Sequence, residues 1–97
     1  MATFLSENLN ESEVVSESEA NLTGYALTST GVETRYVAFK DGDATKSVIP
    51  VPAGSHVGLT GLLESYPAGL SVESLVGDGT LIANIFFEPR EDVLEEG

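Results

Sequence analysis

The sequence has no cysteine, which excludes a disulfide framework, a thiolate zinc site and a cysteine nucleophile together. A single histidine, His56, leaves little material for metal or acid–base chemistry. Bases are equally scarce: four Lys and Arg stand against 16 Asp and Glu, a formal charge of −12. That balance argues against binding bare nucleic acid, because phosphate contacts need clustered Lys and Arg. No apolar run approaches the ~20 residues of a membrane span, and the first residues lack a basic stretch followed by an apolar one. A soluble chain made without export is the expectation. What remains is 97 residues with 41% hydrophobic content, enough for one small core and too little for two.

The negative charge is gathered at the ends. Residues 1–21 hold Glu7, Glu11, Glu13, Glu17 and Glu19 with no base. Residues 88–97 hold Glu88, Glu91, Asp92, Glu95 and Glu96 against Arg90. The middle is nearly balanced. Like-charge runs at chain ends are commonly solvated, so residues 1–20 and 89–97 are expected to be extended acidic arms flanking a domain at 21–88. Both arms also carry apolar residues: Phe4, Leu5 and Leu9 in one, Val93 and Leu94 in the other. These five are the candidate partner-binding residues.

From residue 12 onward the pattern alternates with a period of two, which predicts strands. Residues 14–18 form a weak candidate. Residues 21–29 alternate Leu22 and Ala26 against Tyr25 and Leu27, and 33–40 set Val37 and Phe39 against Tyr36 and Ala38. Residues 47–51 are extended by β-branched side chains, with Pro50 marking an edge strand or a bulge. Residues 56–62 place Val57 and Leu59 together, and 70–76 begin with Leu70 and Val72 on one side. Residues 80–88 are the clearest strand, with Leu81, Ala83, Ile85 and Phe87 opposite Ile82, Asn84 and Phe86. Thr30-Gly31, Asp41-Gly42 and Asp78-Gly79 read as hairpin-type turns. Pro-Ala-Gly occurs twice, at Pro52 and Pro67, with proline suited to the second turn position and glycine to the fourth. An all-β fold follows: a small antiparallel β-sandwich of six to seven strands.

Chemical constellations are sparse. Ser55 and His56 adjoin, but no Gly-x-Ser-x-Gly elbow accompanies them, and His56 reads as a half-exposed residue at a strand edge. Asp41-Gly42-Asp43 begins like a calcium loop, yet Pro52 stands where the bidentate glutamate belongs, so an ordinary turn is the better reading. Asn10-Glu11-Ser12 and Asn21-Leu22-Thr23 match the glycosylation sequon, without a secretory signal to give it weight. The segment 58–61 has two glycines but neither the lysine nor the strand–helix context of a phosphate loop. Carboxylate pairs such as Glu91 with Asp92 and Glu95 with Glu96 lack a cleft to raise a pKa. Tyr25, Tyr36, Phe39, Phe86 and Phe87 lie within strands, as packing groups rather than base-stacking platforms. No catalytic residue, cofactor or metal site is expected.

Several segments, taken in order, resemble small β-sandwich virion proteins of tailed bacteriophages. They are Gly24, Tyr25 and Leu27; Thr34 to Val37 leading into Asp41-Gly42; Ile49 to Gly54; Gly69 to Val72; and Ala83 to Phe87. The resemblance spans about two-thirds of the chain and leaves both acidic ends outside it. It implies a non-enzymatic structural protein of the virion, assembled in the host cytoplasm, with no catalytic residues to carry over.

On that resemblance the leading expectation is a capsid decoration or cement protein that binds the major capsid protein. The sandwich would supply a rigid body. The arms would anchor through Phe4, Leu5, Leu9, Val93 and Leu94, or add a strand to a neighbour's sheet edge. Deleting residues 1–20 would then abolish binding and leave the sandwich folded. A neck, tail or fibre subunit that assembles with copies of itself is the alternative in the same class. From another class comes an acidic inhibitor that imitates nucleic acid; such a mimic would carry its carboxylates on the folded body. Neither nucleic acid nor membrane is an expected partner.

Overall fold

Alternating apolar residues build eight strands in the computed structural model, which describes residues 2–74 and 79–89. They are β1 (Ala2–Ser6), β2 (Ser12–Ser16), β3 (Ala20–Ser29), β4 (Arg35–Asp41), β5 (Ala44–Val51), β6 (His56–Tyr66), β7 (Leu70–Glu73) and β8 (Leu81–Pro89). Two four-stranded antiparallel sheets result, one ordered β1-β8-β3-β6 and the other β2-β7-β4-β5. The chain changes sheet at every connection except the β4–β5 hairpin. This is the winding of an eight-stranded jelly roll, a double-sheet solution to the edge-strand problem.

The β-sandwich expected from the sequence is thus present, with one strand more than the upper count. The addition is β1, which pairs with β8 from Ala2 opposite Phe87 to Ser6 opposite Ala83. Residues 1–20 were expected to lie outside the domain as an arm; instead, residues 2–6 and 12–16 give one edge strand to each sheet. The physical reason is burial. Phe4 packs against the core, Leu9 in the β1–β2 loop is fully enclosed, and the Leu9 amide donates to the Leu81 carbonyl at 2.7 Å.

The core lies between the sheets. Strand β8 contributes Leu81, Ala83, Ile85 and Phe87, β4 contributes Val37 and Phe39, and β7 contributes Leu70 and Val72, all on the faces that alternation predicts. In β3 the alternation breaks. Leu22, Tyr25 and Leu27 are all buried and Ala26 turns outward, because Thr23 is an extra residue between the pairs Leu22–Phe87 and Gly24–Phe86. One inserted residue reverses the facing of everything beyond it. Leu22 therefore shares a face with Tyr25 and Leu27, not with Ala26. The Tyr25 and Phe39 rings meet across the sheets with centroids 5.4 Å apart.

Turn chemistry is partly as expected. Asp41 and Ala44 close a two-residue hairpin, with Gly42 at φ 60° in the position that type II′ turns reserve for glycine. The Gly69 amide donates to the Tyr66 carbonyl, placing Pro67 second and Gly69 fourth. The other Pro-Ala-Gly differs: the Ser55 amide donates to the Pro52 carbonyl, making Pro52 first and Gly54 third at φ 61°. Thr30-Gly31 and Gly79 connect strands of different sheets rather than making hairpins, and Asp78 lies outside the described residues.

Candidate interaction surface

Of the five apolar residues proposed from sequence as anchors, three are among the described residues, and of these one is free to meet a partner. Leu5 sits on the outer face of the β1-β8-β3-β6 sheet and is 53% exposed. Phe4 faces the opposite way, partly buried against the core, and Leu9 is completely buried. Both are packing residues, because alternation in β1 sends neighbours to opposite faces and the loop folds inward after it. Val93 and Leu94 lie outside the described residues.

The acidic residues of the first segment are held on the folded body. Glu7 and Glu11 flank the β1–β2 loop at one end of the sandwich, Glu13 is on β2, and Glu17 and Glu19 follow β2 at the other end. Together they mark the edge formed by β2. Glu7, Glu11 and Glu17 are exposed, whereas Glu13 is half-buried and accepts a hydrogen bond from the Ser6 hydroxyl at 2.9 Å. No Lys or Arg stands in this segment, and the exposed Glu7, Glu11 and Glu17 give the edge a run of carboxylates suited to a basic partner.

The β5/β6 side is differently made. Glu64 accepts a hydrogen bond from the Tyr66 hydroxyl at 2.7 Å. Burial, reinforced by the Glu64 carboxylate and by the charges of Glu64 and Asp41, pushes the Tyr66 hydroxyl far above its ordinary range. A phenol held neutral in this way donates and does not act as a base. Lys46 crosses from β5, donating to the Ser65 carbonyl at 2.6 Å with its ammonium 4.8 Å from the Tyr66 ring centroid. Above this latch, a cleft of about 110 Å³ opens between the sheets beside Ser47, Ile49, Leu59, Leu62 and Glu64.

A larger concavity, about 350 Å³, lies where β6 bulges, bounded by Thr23, Thr60, Gly61 and Phe86. Beside it Gly24, paired with Thr60 on one side and Phe86 on the other, has no room for a side chain: a Cβ there would meet the Leu59 carbonyl at 2.6 Å. The Thr23 hydroxyl is buried at the same bulge with no hydrogen-bond partner.

His56 is exposed at the start of β6, with Nδ1 2.8 Å from the Thr28 hydroxyl. Ser55 instead donates its hydroxyl to the Pro52 carbonyl at 2.7 Å, so it is a turn residue and makes no pair with His56. Asp41 accepts from the Ala68 amide at 2.8 Å, joining two loops. Among the described residues no group of three or more His, Asp or Glu side chains gathers to hold a metal ion, and no helix is long and apolar enough to cross a membrane.

Sequence reasoning missed Arg35, the Lys46–Tyr66 latch and the β6 bulge. Arg35 had a legible signal, a charged residue in phase with Val37 and Phe39. The latch had none, since its members lie 20 residues apart on strands of different sheets.

No family model matches the chain, and no curated protein does. The fold does have a solved counterpart. The crystal structure of PirA superposes with a TM-score of 0.51, covering 89% of this chain and 93% of that one at 9% identity. At that identity the likeness shows the fold alone.

Proposed function

We propose that this chain is a non-enzymatic structural protein of a bacteriophage virion, a capsid decoration protein docked on the major capsid shell. The observation that carries the reading is the jelly-roll architecture, a form used by viral capsid domains as well as by lectins and cupins. The ordered segments that resemble phage virion proteins add the choice among those uses. The docking mode differs from the one suggested by sequence. Phe4 and Leu9 are committed to the core, so attachment runs through the acidic β2 edge, with Glu7, Glu11 and Glu17 meeting basic residues of the shell, and Leu5 lies on a separate face.

Light scattering of the full chain mixed with shells stripped of accessory proteins tests this. Binding in fixed ratio supports decoration, and the Glu7→Gln, Glu11→Gln, Glu17→Gln triple variant binds more weakly with a shallower salt dependence. Failure of the wild-type chain to bind any shell overturns the proposal. A ring or fibre-sized species formed by the chain alone assigns it to the neck or tail instead.

One structural observation favours a second reading. The carboxylates of residues 7–19 are fixed on the body and not on a loose arm, which is the arrangement expected of a protein that imitates nucleic acid. Displacement of DNA from a basic protein by this chain would select that reading over decoration.

A further inference from the structure

The β6 strand is an open edge, and we infer that it pairs with β6 of a second copy of this chain, antiparallel about a two-fold axis at Gly58. The inference is independent of the virion reading. An edge strand offers unpaired amides and carbonyls to any other strand, so folded proteins guard edges with charge, proline, bulges or brevity. Three of the four edges here are guarded. Strand β1 has five residues; β2 has five, with Glu13 and a register shift; β5 carries Lys46 and Pro50. Strand β6 is the longest at 11 residues, and from His56 to Leu63 it holds no charge and no proline.

The backbone specifies the register. The Ser29 amide donates to the Ser55 carbonyl at 2.9 Å, and Ser29–Ser55 continues the pairing of Thr28 with His56. Alternation then turns the polar groups of Val57 and Leu59 toward β3 and those of His56, Gly58 and Thr60 outward. A two-fold axis at Gly58 brings these outward groups together: Gly58 with Gly58 of the second copy, and His56 with its Thr60. Val57 then faces Leu59 of the second copy on the inner side, covering a leucine that is 44% exposed in the single chain. Gly58 adds no side chain to keep the backbones apart.

The contact is bounded on the C-terminal side of the strand. Gly61, at φ 78°, ends the regular run in a bulge, and beyond it Lys46 already occupies the Ser65 carbonyl. Charge selects the occupant. Two chains of net charge −12 repel, and the acidic β2 edge cannot serve both. The outer face beside β6 is neutral: Gly24, Ala26 and Thr28 of β3 stand next to Ile82, Asn84 and Phe86 of β8. Joining there sets no carboxylate against another and leaves the acidic edges on the far sides of the pair.

Sedimentation equilibrium of the full chain should give twice 10.2 kDa, falling to the single mass on dilution. Gly58→Pro removes one outward amide hydrogen and leaves the β3 pairing intact, since Gly58 does not use positive φ. That variant is expected to stay monomeric with an unchanged circular dichroism spectrum. A wild-type chain that is monomeric at every concentration, or a Gly58→Pro variant that still dimerises, overturns the inference. Hydrogen exchange on the wild-type protein is the second measurement. The amides of His56, Gly58 and Thr60 should slow as concentration rises; rates independent of concentration overturn self-pairing. Slowing only when another protein is added assigns the edge to a foreign strand and also overturns it.

Discussion

The Arg35 guanidinium donates a hydrogen bond to the Leu9 carbonyl at 2.9 Å, fastening the β1–β2 loop to the start of β4. Arg35 is almost wholly buried, with a second contact to the Ser74 hydroxyl at 3.4 Å, and the Ser74 amide in turn donates to the Glu11 carbonyl. Three connections of the jelly roll thereby meet at one side chain. In so acidic a protein, the only buried base among the described residues joins loops, not strands.

Replacing Arg35 by Ala leaves the Leu9 carbonyl without its donor inside the fold. Loss of a charge-assisted bond at a buried site costs about 3 kcal/mol. Urea unfolding should show that loss. Arg35→Lys should recover part of it, since an ammonium keeps the charge without the planar fork. An unchanged midpoint for Arg35→Ala would remove Arg35 from this role.

Removal of residues 1–20 should unfold the domain. The deletion takes one edge strand from each sheet, together with Leu9 and Ala20, both fully buried. Leu9→Ala alone should cost about 2–5 kcal/mol, as for other large-to-small core changes. Well-dispersed amide resonances from the truncated chain would contradict this and restore the view of the segment as a separable arm.

Gly24 and Gly61 should respond differently to alanine. A Cβ at Gly24 meets the Leu59 carbonyl at 2.6 Å and the Phe86 ring at 3.3 Å, so β3 and β6 must move apart. Overpacking of that kind costs about 1–3 kcal/mol. At Gly61 nothing lies within 4 Å, and the cost is the positive φ alone, about 1–2 kcal/mol. The distinguishing readout is exchange of the β3–β6 amides, which Gly24→Ala should accelerate and Gly61→Ala should leave alone.

Alkaline pH should destabilise the protein through Tyr66. Its hydroxyl is held neutral in the fold, above the value of about 10 that it has when unfolded. Stability from this source is complete below pH ~10. Above it the unfolded chain releases the proton first, so stability falls by at most about 1.4 kcal/mol per pH unit until the folded-state pKa is reached. Tyr66→Phe should flatten that slope in denaturant titrations across the alkaline range. An equal slope in both proteins would locate the effect elsewhere.

Much of the sandwich was readable because a buried strand face demands period-two alternation. Leu81, Ala83, Ile85 and Phe87 could be assigned to the core from spacing alone, as could Val37 with Phe39 and Leu70 with Val72. Pro50 correctly marked an edge, since proline lacks the amide that an interior strand must donate. The facing of Leu22 was not readable, because the extra residue at Thr23 is defined only against the register of β8.

Composition determined that the chain holds one small core without disulfides and with a large negative charge, and period-two alternation determined that the core is built of strands. Where that charge stands was a tertiary decision. The same glutamates of residues 7–19 suit a loose arm or a rigid edge, and the choice falls on the edge because Phe4, Leu9 and Ala20 gain burial only when β1 and β2 close the two sheets. The open β6 edge was likewise invisible in sequence. An edge is a property of strand order, and order arises from contacts between segments that are distant along the chain.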